Sequence, residues 1–93
     1  MPSLIDQADG FDWLEEVIEK LSRKHNVQQD EVEECFHQRR YKVRTGKNNI
    51  YYLYSQSQSG RYLFIVFAWR NRLIRVISAR DMDSQERIQY RRK

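Results

Sequence analysis

Cysteine is nearly absent. Cys35 stands alone, so no intramolecular disulfide can form, and a reducing cytoplasm is the compartment such cysteine usage fits. With one cysteine and two histidines, His25 and His37, a closed zinc site would have to borrow carboxylates, so no metal or other cofactor is expected. The three glycines, Gly10, Gly46 and Gly60, stand far apart and form no glycine-rich phosphate loop. No apolar run approaches the roughly 20 residues of a membrane span. Met1 to Gly10 carries neither the basic start nor the apolar stretch of a signal peptide, and a cytoplasmic location is expected.

What is present is charge, unevenly spread. Of 93 residues, 32% are charged and 40% hydrophobic, which suits one solvated globular domain with a modest core. Residues 1–36 hold three Lys/Arg against ten Asp/Glu, a net −7, whereas residues 37–93 hold fourteen against three, a net +11. A split of this kind points to nucleic acid or another anionic partner for the basic part.

Along the chain, residues 1–9 read as a flexible lead-in and residues 10–93 as a single domain. Asp12-Trp-Leu-Glu15 has the spacing of a capping box. Leu14, Val17, Ile18, Leu21 and His25 then recur at helical spacing, with a stop expected at Asn26. Gln29 to Phe36 reads as a second helix with Val32, Cys35 and Phe36 inward, so an N-terminal helical hairpin is expected. Four strands follow. Tyr41–Thr45 alternates, Ile50–Tyr54 is aromatic, Arg61–Trp69 is continuously apolar after its arginine, and Leu73–Ala79 comes after a turn at Arg70-Asn71. Asp83-Ser-Gln-Glu86 is a second capping box opening a last helix. The order α-α-β-β-β-β-α defines an α+β domain.

The segment Arg75 to Tyr90 (RVISARDMDSQERIQY) resembles the C-terminal motif of the BrnT family of toxins. Phe11-Asp12-Trp13, Lys24-His25-x-Val27, Val32…Phe36 and Gly60-Arg-Tyr-Leu63 extend the likeness over residues 10–92. The resemblance implies a RelE-like fold, with a helical pair, a four-stranded twisted antiparallel sheet and a C-terminal helix. It implies an endoribonuclease of a type II toxin–antitoxin pair that cleaves mRNA, on or off the ribosome, and so inhibits translation. The partner implied is a cognate antitoxin with a ribbon-helix-helix DNA-binding domain. The chain departs from the family pattern at Val17 and Leu21, where Lys and Asn are common, and at Asn26 and Ser55, where Gly is common. It reads as a divergent member.

Metal-independent RNA cleavage uses the ribose 2′-OH as nucleophile and needs a base, an acid and cations around the phosphorane. Arg80, at a strand-to-helix junction, leads the catalytic candidates, followed by Tyr90, His25 and Glu86. Arg61, Arg75, Arg87 and Lys24 are candidates for holding phosphate. Each has a structural alternative. His25 suits a helix C-terminus, Glu86 the third position of a capping box, and Arg61, Arg75 and Arg80 suit ion pairs. Arg75 and Arg80, five apart, point to opposite faces of a regular strand. Tyr51, Tyr52 and Tyr54 read as sheet filling. The alternative function is a non-catalytic RNA- or protein-binding module that keeps the toxin fold.

Overall fold

The computed structural model describes residues 5–92. A 3-10 turn (Ile5–Gln7) precedes a two-residue strand β1 (Gly10–Phe11), helix α1 (Glu15–His25) and helix α2 (Gln29–Phe36). Strands β2 (Lys42–Thr45), β3 (Ile50–Gln56), β4 (Tyr62–Arg70) and β5 (Leu73–Asp81) follow, and helix α3 (Ser84–Arg91) comes last. The strands form one sheet in the order β1-β5-β4-β3-β2. β1 runs parallel to β5, while β2 to β5 pair antiparallel. The chain is therefore α+β with a five-stranded mixed sheet, not the four antiparallel strands expected. Two residues carry no readable period, and Gly10-Phe11 become a strand only because β5 offers them an edge.

The expected lead-in, residues 1–9, falls only partly within the described residues. Residues 1–4 lie outside the described residues, but residues 5–9 are anchored. Ile5 joins the core, and the Asp9 N–H donates to the Arg72 carbonyl at 2.7 Å. Arg72 and Asn71 both have left-handed φ (65° and 51°), as a two-residue hairpin loop requires, so the turn sits one residue beyond Arg70-Asn71.

One face of the sheet carries the core. Leu53, Leu63, Ile65, Phe67, Ile74, Val76 and Ala79 meet Leu21 of α1 and Val32, Cys35 and Phe36 of α2. Phe67 is fully buried between the Phe36 ring (centroids 5.1 Å apart) and Tyr51 (5.5 Å), a burial that stabilises by roughly 1.5–3 kcal/mol. Each helix finds its main partner in the sheet, α1 on β5 and α2 on β3 and β4. The expected helical hairpin is laid out as a helical layer on the sheet. Asn26, at φ 51°, ends α1 as expected. Asp12 does not cap α1: Leu14 occupies that position without a side-chain cap, because the Asp12 carboxylate is taken by Arg75 at 2.6 and 3.0 Å.

Candidate nucleic-acid interface

Residues opposite one another in a sheet share a face, so register defines the face turned away from the helical layer. It presents Lys42 and Arg44 from β2, Tyr52 and Tyr54 from β3, Phe64 and Val66 from β4, and Ser78 and Arg80 from β5. α3 packs over one end of this face, leaving the rest open. A β-bulge controls what it displays. Val66 lies opposite Ser78 but Phe67 lies opposite Val76, so Ile77 is the extra residue. That single residue reverses the alternation along β5. Arg75 and Arg80 consequently stand on one face, opposite Ala68 and Phe64, and not on two as a regular strand would place them.

Arg80 is the centre of the exposed part. Its guanidinium lies 4.4 Å above the Phe64 ring centroid, and that ring is flanked by Tyr52 (5.7 Å, stacked at 15°) and Tyr54 (5.1 Å). Its two terminal nitrogens donate to the two carboxylate oxygens of Glu86 at 2.8 and 2.9 Å, and one also reaches the Asp81 carbonyl at 3.0 Å. The capping box at the start of α3 holds Glu86 in place. Its carboxylate accepts the Asp83 N–H at 2.9 Å while its own N–H donates to the Asp83 carboxylate at 2.8 Å. Hydrogen bonding from Arg80 holds the Glu86 carboxyl below the usual carboxylate range, and the same bonds raise Arg80 further. The Arg80 side chain remains 41% exposed, so an incoming anion can reach it.

The other expected site residues are placed differently. Tyr90 is 5% exposed, packed edge-on against Tyr62, and its hydroxyl donates to the Arg40 carbonyl at 3.2 Å. Burial pushes its pKa up, and its side chain packs against the sheet while lining the cleft beside α3. Arg75 is held by Asp12, as its structural alternative required. Arg61 is a tether on the helical side. It donates to both oxygens of Asp81 (2.7 and 3.1 Å), to the His25 and Asn26 carbonyls at the end of α1 (2.9 and 2.6 Å), and to Glu31 at 3.4 Å. The half-buried His25 belongs to this cluster, across the sheet from Arg80. Lys24 is exposed on α1, and Arg87 lies over the Tyr62 ring at 5.6 Å. Of the eight candidates, Arg80 and Glu86 are the two in direct contact on the open sheet face.

Phe64, Tyr52, Tyr54 and Arg44 were not among the candidates. The signal lay in β3, where Tyr52 and Tyr54 alternate with the buried Leu53 and Ser55. Tyr51, by contrast, does fill the sheet, against Phe67.

The fold and this face define a small α+β protein with a basic, aromatic sheet surface opposite an acidic helical layer. The family model described as "Ribonuclease toxin, BrnT, of type II toxin-antitoxin system" matches residues 13–86, and the chain belongs to that family of toxins. Its fold is similar to the 1.1 Å crystal structure of the Brucella abortus ribonuclease toxin, BrnT. The TM-score is 0.67 at 17% identity, covering 81% of this chain and 97% of that one. No curated protein sequence matches the chain. Among the described residues, no helix is long and apolar enough to cross a membrane.

Proposed function

We propose that the chain is a metal-independent endoribonuclease toxin, residues 10–93 forming a single RelE-like toxin domain that cuts mRNA in the cytoplasm and thereby inhibits translation. Family membership supports a ribonuclease with a cognate antitoxin, for which we propose a ribbon-helix-helix DNA-binding domain. The observation that carries the reading is the Arg80 guanidinium placed over the Phe64 ring with its fork turned to Glu86. That fork matches a phosphate as well as it matches a carboxylate.

In this reading single-stranded RNA crosses the open sheet face, with bases on Tyr52, Tyr54 and Phe64 and the scissile phosphate on Arg80. The phosphate takes the place of Glu86 on the arginine fork. The released carboxylate accepts the proton of the 2′-OH, whose oxygen attacks the adjacent phosphorus. The bond to the 5′-oxygen breaks, that oxygen takes a proton from water, and a 2′,3′-cyclic phosphate remains. Arg80 offsets the charge that develops on the phosphorane, the effect of largest expected weight.

The test is cleavage of RNA by purified protein in EDTA. Wild type is expected to cleave, and Arg80→Ala to lose cleavage with an unchanged circular dichroism spectrum. Intact RNA with wild type, or full activity in Arg80→Ala, refutes the assignment. Salt-dependent binding without cleavage would establish the alternative, a non-catalytic RNA-binding module, which the burial of Tyr90 favours.

A further inference from the structure

Between α3 and the open faces of β2 and β3 lies a cleft of about 380 Å³, lined by Lys42, Arg44, Tyr54, Gln85, Glu86, Gln89 and Tyr90. Gln85 and Gln89 are one helical turn apart and share one side of α3. Neither side-chain amide has a hydrogen-bond partner among the described residues. The backbone around them is fully engaged. Lys42 Nζ donates to the Gln89 and Arg92 carbonyls, and Arg40 to those of Tyr90 and Arg91, which ties the end of α3 to the sheet. Two free amides are thus presented from a fixed support, beside an aromatic wall and one residue from the Glu86 carboxylate.

We propose that this cleft reads an adenine of single-stranded RNA next to the scissile phosphate, which makes Gln85 and Gln89 specificity-determining residues. The inference rests on the RNA-binding reading of the open face. A glutamine amide offers one donor and one acceptor side by side, the complement of the N6 donor and N7 acceptor of adenine. Uracil and cytosine lack N7 and present no such pair on the Hoogsteen edge, the edge that this proposal assigns to the glutamines. Tyr54 supplies a ring for the base to stack on, and Arg44, whose Nη1 is 3.5 Å from the Tyr54 hydroxyl, supplies a cation for the flanking phosphate. The position of Glu86 in the same wall places the base next to the reacting centre.

The test measures binding, so that it stands apart from catalysis. Short 2′-O-methyl RNA oligomers of A, C, U and G, which lack the nucleophilic hydroxyl, are titrated against the full chain by fluorescence anisotropy. Wild type is expected to hold the A oligomer about tenfold tighter than the C and U oligomers, the discrimination one bidentate contact supplies. The double variant Gln85→Ala/Gln89→Ala is expected to lose that preference with its affinity for C and U unchanged. Both glutamines are exposed, so its melting temperature serves as the control for folding. Equal affinities in wild type, a preference that survives the double variant, or a preference for G overturns the inference, the last by giving the base contact to Arg44. Selective binding of A by a protein that leaves unmodified RNA intact would refute the ribonuclease and keep the base pocket. Cleavage without base preference would do the reverse, and failure to bind any oligomer removes the RNA-binding face and the pocket together.

Discussion

Arg61 offers the sharpest separation between a phosphate ligand and a structural tether. Its side chain is 22% exposed and makes contacts to three elements: the end of α1, Glu31 of α2 and Asp81 of β5. Asp81 is 62% exposed, so that pair is largely screened and contributes less than about 1 kcal/mol. The two bonds to the His25 and Asn26 carbonyls weigh more, because they satisfy helix-terminal acceptors from a charged donor. Such bonds are worth roughly 1.5–3 kcal/mol each where they are shielded from water, and the lower figure applies at this partly exposed site. Arg61→Ala is therefore expected to cost about 3 kcal/mol, or roughly 12–24 °C of melting temperature for a domain of this length. Asp81→Asn is expected to cost only a few degrees. The pH dependence has a defined sign. Hydrogen bonding to Arg61 lowers the pKa of Asp81 in the folded protein, so its share of stability is complete above the ordinary carboxylate pKa and vanishes as pH falls through the depressed value. Thermal melts of wild type and both variants at neutral and acid pH measure all of this. If Arg61→Ala melts within about 4 °C of wild type, less than 1 kcal/mol by the same conversion, the tether argument fails. A simultaneous loss of RNA affinity would then make Arg61 a phosphate ligand.

Two further outcomes follow from burial. Tyr90→Phe removes only the bond to the Arg40 carbonyl and is expected to cost about 0.5–1.5 kcal/mol in urea unfolding, with RNA cleavage unchanged; a large drop in kcat would return Tyr90 to the reaction. Burial pushes the Cys35 thiol up to about 12, so iodoacetamide at pH 8 is expected to leave it unmodified in the native protein and label it rapidly in urea; fast native labelling would contradict its burial.

Much of the fold was legible because it repeats. The stripe Val17-Leu21, the alternation at Tyr41–Thr45 and the Asp83–Glu86 capping box each carry a local period or spacing that forces a local structure. What escaped depends on pairing between distant residues. Asp12 has the spacing of a cap, but Arg75, sixty-three residues away, is a better partner for its charge than a backbone N–H. β1 exists through an edge that only the folded sheet creates. The site divided along the same line. Arg80 and Glu86, six residues apart, were each readable as candidates from their local setting, whereas Phe64 joins them only through the register of β4 against β5.

The β5 bulge connects these scales. Without Ile77 as an extra residue, the alternation that buries Ile74 and Val76 would bury Arg80 and turn Ala79 outward. One inserted residue therefore keeps the small alanine in the core and delivers the arginine to the opposite face, five positions after Arg75. It also resolves a conflict in the open face itself. Phe64 and Val66 between two tyrosines would be an apolar patch of the kind that drives association. Arg80 covers Phe64 with its guanidinium and leaves its charge accessible, so the same contact that keeps the ring out of water presents a cation above a stacking surface. On the helical side, where α1 and α2 cover the sheet, α1 balances Glu15, Glu16 and Glu19 against Lys20, Arg23 and Lys24, and the acidic excess lies on α2, in Asp30, Glu31, Glu33 and Glu34. A polyanion is repelled from that layer and drawn to the open one, so the −7 and +11 segments of the chain become an orientation for RNA once the sheet separates them.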